Sequence, residues 1–539
     1  MVECELRNSF LGEPVRVFAA IKKLVKSITG RNDTAHTQQL AEAYQRLRAS
    51  YDAARTTDEF KNYWANADHY DADSAHNMCV RHTLVARSRY EIGNNGYSDG
   101  IAQTYATDLV GVGPSLRMQT GSDGFNKMVE LAWFNWTKEV KFRRLLWCMA
   151  HAKHADGEAF AVMRRNPKMK HQIKMVPVLY ETEQCQTPNR PFNEPGYIDG
   201  IKFDEYGNPQ WYDFLKQHPG TSNGMLYNPM PERISADRVL HWFKLRRPGQ
   251  HRAVPEMAST LNTGAASRRW REAVIACAET SADYTFLMKT EMGPDEAAQV
   301  AAFSTMDIAK RQMGFLPRGW DPFQPDSKFP STNHGEFNKG LVNEQARPKS
   351  MPTNKAMCDS SSYNYASGRL DHQTYYSALD VDREDANDLV LDPLFDVWFE
   401  LAIVTYGWLG GNPDAIGDAA KSHIWDWPKH RVADVESEAN ANSTKLSSGQ
   451  MFLHRLFAEC GWDLNDEIET AANSFGVSVD EIKRRLLEIT LPDPSQQNSG
   501  GDQSTQGGDT TNSAVSAMFG KILERLNGAN GKHNGHVLQ

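Results

Sequence analysis

The sequence contains little that would support a disulfide scaffold, a membrane span or a common type of enzyme. Its 539 residues include 7 cysteines, which are scattered singly without a C-x-x-C pair, so we expect free thiols in a reducing cytosol. No uncharged apolar run reaches the length of a transmembrane helix. Phosphate-binding loops and the G-x-S-x-G nucleophile motif are also absent. These absences exclude the simplest ATPase, hydrolase and zinc-ribbon interpretations.

Basic residues are in deficit as well. The 59 lysines and arginines face 68 acidic residues, which gives a formal net charge of −9. Proteins that bind nucleic acid through their overall charge are usually basic, so tight, long-lived binding of DNA is not expected. A mildly acidic surface is still compatible with DNA that slides past it. Hydrophobic residues make up 40% of the chain, which is ordinary for a globular protein with a sizeable core.

The first half of the chain has the pattern of an α+β region. A helical pattern up to residue 92 is broken by the turn signal Asn94-Asn95-Gly96 and resumes over 97–109. Two further helices are predicted near 126–138 and 142–153. Strand patterns separated by Gly, Asn and Pro turns predict a mainly antiparallel sheet, with strands at 115–119, 159–164, 173–183, 197–203, 210–215 and 238–245.

The second half is predicted to be mainly helical. Pro255 opens a long helical pattern, and a Pro/Gly-rich loop of low regularity covers 314–333. The strongest helical pattern, 363–408, contains Pro393, whose missing amide predicts a kink. The remaining predicted elements are a strand at 284–289, helices at 297–302, 335–346, 435–447, 448–461 and 479–488, an irregular segment at 347–362, a linker at 493–512 and an amphipathic helix at 514–526.

Two polar clusters are candidates for metal or acid–base chemistry. The spacing of His151, His154, Asp156 and Glu158 can suit a divalent cation, but no matching ligand group occurs elsewhere in the sequence. A run of aspartates along the long helix is more typical of a solvated helix face than of acid–base catalysis: Asp359, Asp371, Asp380, Asp382, Asp385 and Asp388. We therefore expect no catalytic residue, no metal site and no cofactor.

Basic residues are concentrated in two loops. Arg246, Arg247, Gln250 and Arg252 form a compact loop, which we interpret as an interface or a loop leading into a helix; a nucleic-acid contact is the weaker alternative. Arg347, Lys349 and Lys355 lie in the irregular segment before the long helix. They could contact DNA phosphates or simply keep the loop soluble. Near the N-terminus, the amphipathic stretch 15–28 fits docking onto a partner or its own domain better than onto a membrane.

Several motifs occur in an order that is informative. They are Ala86-Arg87-Ser88-Arg89, Asn94-Asn95-Gly96-Tyr97, Leu109-Val110-Gly111-Val112-Gly113-Pro114, Asp156-Gly157-Glu158, Ala236-Asp237-Arg238-Val239-Leu240-His241-Trp242-Phe243, Arg247-Pro248-Gly249-Gln250-His251-Arg252, Asn364-Tyr365-Ala366-Ser367-Gly368-Arg369 and Trp427-Pro428. Taken together over residues 51–487, this series resembles the portal proteins of tailed bacteriophages, lambda-type family. The chain departs from the family pattern at Ala253, Val435 and Pro348, and Pro348 predicts that the helix before it ends early.

The resemblance implies a subunit of a ring, commonly dodecameric, around a DNA channel at one vertex of the capsid. Its parts would follow the chain: an N-terminal arm (1–50), an α+β wing (51–254), a first stem helix (255–283), a small clip (284–333), a second stem helix (334–346), a tunnel loop (347–362), a kinked spine helix (363–411), a mainly helical crown (412–492) and a flexible tail with a short amphipathic helix (493–539). The resemblance also implies that the ring is not an enzyme and does not hydrolyse ATP.

The same resemblance implies partners and site residues. The partners would be further copies of the chain, double-stranded DNA read without sequence specificity, the major capsid protein, the large terminase subunit and a neck or head–tail adaptor protein, with no membrane. Assembly would take place in the host cytoplasm and the product would be part of the virion. Arg347, Lys349 and Lys355 would face DNA in the tunnel loop, and Asn364, Tyr365, Ser367 and Arg369 would open the spine helix. The alternatives are a metal-dependent nucleic-acid-processing enzyme and a different structural virion protein.

Overall fold

A computed structural model describes residues 62–490, except 63, 66, 188–195, 223–229, 284–286, 291–319, 324–333, 362, 412–416, 431–434, 460–461 and 463. The chain divides into two compact units, Met1–Asp71 and Ala72–Gln539. In the described part of the first unit, a turn is closed by a hydrogen bond of 3.1 Å from Ala67 N to Trp64 O. The predicted N-terminal arm, the helix at 297–302, the linker and the amphipathic helix of the tail lie outside the described residues.

The first half of the second unit combines helices with short strands. Its helices are α1 (Ala72–Ala75), α2 (Met78–Asn94), α3 (Gly96–Val110), α4 (Asp123–Val140) and α5 (Phe142–Asp156). Its strands are β1 (Ser115–Met118), β2 (Glu158–Arg165), β3 (Met175–Tyr180), β4 (Tyr197–Ile198), β5 (Ile201–Phe203), β6 (Pro209–Phe214), β7 (Glu232–Ser235) and β8 (Val239–Phe243). The predicted helices are confirmed, and β7 is a strand that the sequence pattern missed.

Local sequence explains two of the boundaries. Asn95 ends α2 and caps α3, because its side chain accepts a hydrogen bond of 3.2 Å from Tyr97 N. The predicted strand 197–203 is instead a hairpin of β4 and β5, with a turn at Asp199 and Gly200. These residues have φ angles of 48° and 91°, as a two-residue turn between antiparallel strands requires.

Two sheets enclose a small core between them. Strands β3-β2-β8 form one sheet and β4-β5-β6-β7 the other, and every strand pairing in the described part of the chain is antiparallel, as predicted. Strand β2 is buried on both faces because Phe160 and Val162 contact the core shared with the second sheet, whereas Ala161 and Met163 face the helices. The structure is therefore a mixed helix-and-sheet fold of the predicted α+β type.

The second half supplies most of the long helices. Its elements are α6 (Leu261–Asp283), β9 (Leu287–Thr290), β10 (Trp320–Phe323), α7 (His334–Ala346), α8 (Thr353–Met357), α9 (Tyr365–Ala386), α10 (Asp392–Tyr406), β11 (His423–Asp426), α11 (Val435–Ser447), α12 (Leu453–Glu459), α13 (Leu464–Phe475) and α14 (Val479–Thr490). In the described part of the chain, no helix combines the length and apolarity needed to cross a membrane.

Three predictions about this half were wrong in detail. The loop 314–333 contains β10, which pairs with β9, and the irregular segment 347–362 contains a 3₁₀ turn and the short helix α8. Helix α13 was not predicted, although it is as long as α14, which was. Strand β11 was also missed, because it has only four residues and pairs with β1, which lies far away in the sequence. Local patterns report poorly on such elements.

The long helical pattern is interrupted where proline requires it. A π-helical turn at Asn387–Leu391 separates α9 from α10, and Pro393 is the second residue of α10. Since proline has no amide to donate, the hydrogen-bond ladder is re-spaced just before it, which is the usual cause of a π turn or kink. The second part ends at Tyr406, with Gly407 as its C-cap at a φ of 68°, close to the predicted end at residue 408.

Both parts of this helix lie against the α+β region. Trp398 and Phe395 of α10 contact Trp133 of α4, at ring-centroid distances of 5.0 and 5.6 Å. Tyr375 and Leu379 of α9 are fully or almost fully buried in the same large core. The core therefore joins residues from both halves of the chain.

Candidate functional site

Several motifs of the sequence series meet at one place, which we call the motif junction: Arg89, Asp156, Gly157, Glu158 and Arg252. Glu158 begins β2 and is fully buried. Arg252 donates to it from Nε at 3.0 Å to each carboxylate oxygen and from Nη2 at 2.6 Å. The same guanidinium donates to the carbonyl oxygens of Thr182 and Cys185, each at 3.2 Å. A buried charge pair needs this degree of satisfaction to persist.

Asp156 is paired in a similar way at the end of α5. Arg89 of α2 donates to both of its carboxylate oxygens at 2.8 Å, a bidentate arrangement. Arg89 also bonds Glu183 at 3.0 Å and Glu181 at 2.9 Å. The two acids of Asp156-Gly157-Glu158 are thus each held by an arginine from another motif.

Gly157 between them permits the close approach of two chain segments. Its φ is 92°, and a Cβ at this position would lie 2.2 Å from the backbone carbon and oxygen of Val254. No side chain fits that space. The glycine is therefore needed for both its backbone conformation and its contact with the segment that follows Arg252.

The cations around Glu158 stabilise its ionised form. Burial alone would raise the pKa of Glu158, but Arg252, His241 and Arg81 outweigh it and hold that pKa well below its usual range. His241 of β8 lies 3.2 Å from Glu158 and is itself buried, which lowers its pKa. The junction is a pre-formed structural connection between the helices and both sheets.

These contacts remove the metal alternative for the cluster at 151–158. Asp156 and Glu158 are occupied by arginines, His154 is buried near Glu256, and His151 stacks on Trp147 with ring centroids 5.4 Å apart. In the described part of the chain, the ligand atoms of Glu181, Glu183 and His218 lie within 4.8 Å of one another. Arg89 already bonds both of those glutamates.

A second group of charges, which we call the charge cluster, consists of the buried Lys153, Glu256, Lys349 and Asp382 and the partly exposed Lys244. Asp382 of α9 lies 3.0 Å from Lys244 Nζ, 3.3 Å from Lys153 Nζ and 3.7 Å from Lys349 Nζ. Glu256 lies 3.1 Å from Lys153 Nζ and also pairs with Lys349. The cluster connects α5, the end of β8, the segment that leads into α6, the turn after α7 and the long helix.

Burial and the neighbouring lysines shift pKa values within the charge cluster. Burial lowers the pKa of Lys349 well below its usual range, and the neighbouring Lys153 lowers it further. For Asp382, burial would raise the pKa, but Lys349, Lys153 and Lys244 outweigh it and lower that pKa. Tyr105 adds a hydrogen bond of 2.8 Å to the same carboxylate.

The predicted DNA-facing residues have different environments. Arg347 is exposed. Lys355 is partly buried and donates to Asp108 at 2.6 Å, with about a fifth of its side chain, 22%, accessible. Lys349 is only 4% accessible and is held by the charge cluster. The expectation for Lys349 therefore needs correction: a buried ammonium that already neutralises carboxylates is not available to a DNA phosphate.

The basic loop after β8 is partly structural. Gln250 is buried and its side-chain oxygen accepts hydrogen bonds from Arg246 N at 2.9 Å and Arg247 N at 3.3 Å, so it closes the turn. Arg246 and Arg247 are exposed, whereas Arg252 is buried in the motif junction. Sequence reasoning missed this division because an arginine's charge alone does not report its burial.

The motif that opens the long helix is a helix cap. Asn364 accepts hydrogen bonds from Ser367 N at 2.8 Å and Ser367 Oγ at 2.9 Å, and Tyr365 is the first residue of α9. Arg369 is exposed one turn later. The signal for this role was present in the sequence, since Asn is among the residues preferred immediately before a helical pattern begins.

One arginine of this helix has a role that the sequence did not reveal. Arg383 donates from Nε to the carbonyl oxygen of Leu109 at 3.1 Å and from Nη2 to that of Asp108 at 3.2 Å. These carbonyls belong to the last turn of α3, where a cation is favoured. The aspartates beside it are also engaged: Asp382 in the charge cluster, and Asp380 with His430 at 2.9 Å. Asp359, Asp371, Asp380 and Asp388 are exposed, as the prediction of a solvated face requires, whereas Asp382 is buried and Asp385 is partly buried.

Comparison with known proteins agrees with the motif series. The chain matches the phage portal protein, lambda family, over residues 58–383. That match spans more than half of the chain and includes the motif junction and the charge cluster. The chain belongs to the lambda family of phage portal proteins, whose members are components of the virion.

Individual relatives are distant. A probable portal protein of Halomonas phage phiHAP-1 (isolate -/Gulf of Mexico/-/2001) is 22% identical over 483 residues, which covers 83% of this chain and 89% of the relative. A chain from the virion of a native gene transfer agent particle is 12% identical, with a TM-score of 0.36, and covers 70% of this chain and 93% of that one. An HK97 family phage portal protein from Corynebacterium diphtheriae is 13% identical, with a TM-score of 0.27, and the coverages are 57% and 93%.

Proposed function

We propose that the chain forms a ring, commonly of twelve copies, that serves as the DNA channel at the unique vertex of a phage capsid. Genome enters and leaves through this ring. The observation that carries the proposal is the family match over residues 58–383, together with the contacts that join its motifs at Arg89–Asp156 and Glu158–Arg252. Those contacts fix distant segments of each subunit relative to one another, as a ring that bears the force of DNA packaging requires.

Contacts between elements support the proposed parts of the subunit. We assign residues 51–254 to the wing, and 255–283 and 334–346 to two stem helices with the clip, 284–333, between them. Trp270 of α6 stacks on His334 at 4.5 Å and meets Phe337 of α7 at 4.8 Å, so the two proposed stem helices are in contact. The pairing of β9 with β10 fits a compact clip.

The remaining parts follow the long helix. We assign 347–362 to the tunnel loop, 363–411 to the spine helix, 412–492 to the crown and 493–539 to a flexible tail. Contact of Phe395 and Trp398 with Trp133 supports a spine helix that returns to the wing. Leu131 and Phe134 of α4 leave 62% and 59% of their surface accessible, and exposed apolar side chains of this size suit a subunit interface.

The proposed mechanism is steric and electrostatic. Loops from all copies surround the duplex and contact its phosphates without reading its sequence. Of the three basic residues in the tunnel loop, the exposed Arg347 contacts the DNA phosphates directly. Lys355 contacts them through the accessible part of its side chain while it remains paired with Asp108. Lys349 instead anchors the loop to the body through Glu256 and Asp382.

The proposed partners are the ring's own copies, double-stranded DNA, the major capsid protein, the large terminase subunit and a neck or head–tail adaptor. Assembly takes place in the host cytoplasm. The ring has no catalytic role in this proposal. The alternative of a metal-dependent nuclease loses its main support because Asp382 and Asp380, two of the acids it would need, pair with lysines and with His430.

Negative-stain imaging of the purified full chain tests the proposal. Rings with a central channel are expected, with one subunit number dominating the class averages. Compact monomers, or particles of another symmetry, would contradict it. A nuclease assay with Mg²⁺ on the same preparation separates the alternative, since a portal should leave duplex DNA intact.

A further inference from the structure

A cavity of about 150 Å³ lies beside the motif junction, below the loop that follows β8. Its polar lining consists of His76, Lys244, Arg246, Arg247, Gln250 and Glu256. Three of these side chains are permanent cations near neutral pH, and one is a carboxylate. The volume is sufficient for several water molecules or for one tetrahedral oxyanion.

Glu256, the one carboxylate in this lining, is already paired with lysines that do not line the cavity. Glu256 pairs with Lys153 at 3.1 Å and with Lys349, both on the buried side of the cavity wall. Lys244 lines the cavity and donates to Asp382 at 3.0 Å. Three lysines thus share two carboxylates in the charge cluster.

One further acid contributes to the balance. Asp385 interacts electrostatically with Lys153 and Lys244, but no close ion pair joins it to them among the residues that the structure describes. A positive charge that is partly buried without a counter-ion is costly. Lys244 lines the cavity and leaves 37% of its side chain accessible, so it can attract an anion there while it remains paired with Asp382.

Two further groups at the cavity are available to a ligand. Within the described part of the chain, the guanidinium of Arg246 forms no ion pair; its backbone N–H is what binds Gln250. The Nδ1 atom of His76 is buried and has no hydrogen-bond partner in the same part. Both residues line the cavity. Arg247 also lines it and already has a partner of its own.

We propose that this cavity binds a phosphate-type oxyanion, with Arg246 and Lys244 as its main charged ligands, Arg247 as a further positive charge in the wall and His76 as a hydrogen-bond donor. The planar guanidinium group matches phosphate oxygens in pairs, whereas the lysine ammonium contributes a point charge. The ion is either free phosphate or a phosphodiester of duplex DNA, which share this chemistry. The site lies outside the predicted tunnel loop, so it goes beyond the DNA contacts of the proposed channel.

Calorimetric titration of the full-length protein with inorganic phosphate tests the site, at constant ionic strength and with chloride as the reference anion. We expect saturable binding of one phosphate per subunit. The double variant Arg246→Gln/Arg247→Gln should weaken it at least tenfold, because it removes a charge-assisted hydrogen-bonding group and a further positive charge. The matched control is Arg165→Gln/Arg238→Gln, which removes two exposed arginines elsewhere in the same region and should retain the affinity.

The backbone bonds to Gln250 do not depend on the arginine side chains, so the turn after β8 should persist in Arg246→Gln/Arg247→Gln, and a cooperative melting transition in phosphate-free buffer verifies that both double variants are folded. Absence of saturable binding to the wild type would overturn the proposal, as would an equal loss in the control. A second arm adds a short DNA duplex to the phosphate-loaded protein. Displacement of phosphate by DNA assigns the site to the DNA backbone, and retention assigns it to the free ion. Neither result depends on ring formation, so failure of this proposal is distinguishable from failure of the channel.

Discussion

Arg252 and Glu158, which are 94 residues apart in the sequence, form a nearly fully buried pair: the guanidinium Nε lies 3.0 Å from each carboxylate oxygen. The pair joins the basic loop after β8 to the first residue of β2. Gly157, next to Glu158, touches the chain at Val254, two residues after Arg252. Two segments of the motif series therefore act as one structural unit.

Removal of Arg252 should be severely destabilising. The variant Arg252→Met removes the closest cation from the buried Glu158 and leaves only Arg81 and His241 beside it, so the expected cost is about 3 kcal/mol, at the lower end for breaking a buried pair. Urea unfolding followed by circular dichroism measures it. The double variant Glu158→Gln/Arg252→Met should lose less than the single variant, because no carboxylate remains to be neutralised. Arg165→Gln is an exposed control that should change stability by less than about 0.5 kcal/mol. A single variant as stable as that control would refute the structural role of the pair.

Gly157 should not tolerate alanine. A Cβ there would lie 2.2 Å from the Val254 backbone, at a φ of 92°. We expect Gly157→Ala to lower the melting temperature strongly or to yield insoluble protein. Gly93→Ala is the control, since a Cβ at Gly93 meets nothing within 4 Å in the helix α2, and alanine there should be neutral or stabilise by up to about 1 kcal/mol. Equal melting temperatures for the two variants would contradict this account.

Mild acid should destabilise the protein partly through His154. Burial, with Lys349 as the strongest neighbouring cation, lowers the pKa of His154 well below its ordinary value of 6.5. The unfolded chain then binds more protons as the pH falls through that value, so this stability is present above it and lost below it. Melting temperature measured from about pH 7.5 to about 5.5 should fall, and less steeply for His154→Gln. His454→Gln, at an exposed position, should retain the wild-type slope. Identical slopes for His154→Gln and wild type would show that His154 does not contribute to the pH dependence of stability.

Neutralising the accessible basic residues of the proposed tunnel loop should weaken DNA retention. The double variant Arg347→Gln/Lys355→Gln removes the two side chains per subunit that are proposed to bind phosphates, so packaged DNA should leak severalfold more while rings still form. The dependence of DNA affinity on salt should also flatten by roughly one unit of slope for each phosphate that is no longer bound. A packaging assay with imaging of the rings measures the leakage and the assembly, and a salt titration of DNA binding measures the slope.

Lys349→Met serves as the comparison within the same loop. Because Lys349 is buried in the charge cluster, its replacement should act on the melting temperature and not on DNA retention. Unchanged retention in Arg347→Gln/Lys355→Gln would refute the assignment of these residues to the channel.

Local sequence was sufficient wherever a feature depends on neighbouring residues. The helix junction at Asn95, the helix cap at Asn364 and the interruption near Pro393 were all readable, because capping and proline act within one or two turns of the chain. The order of the motifs also predicted the family. The hairpin at Asp199 and Gly200 was readable in principle, since Asp-Gly is a strong turn signal, but the strand pattern on both sides of it obscured the turn.

The sequence by itself thus determined the main helices, the antiparallel α+β character and the family to which the chain belongs. Only the tertiary structure decided which charges are buried. In the sequence, Arg252 and Lys349 look no different from Arg247 and Arg347, since all four are basic residues in loops. In the structure, Arg252 and Lys349 are buried, whereas Arg247 and Arg347 are exposed. The reason is physical: a charged side chain can be buried only where other segments supply opposite charge and hydrogen-bond partners. Glu158 and Glu256, which pair with Arg252 and Lys349, are far from them in the sequence and come into contact with them only in the fold.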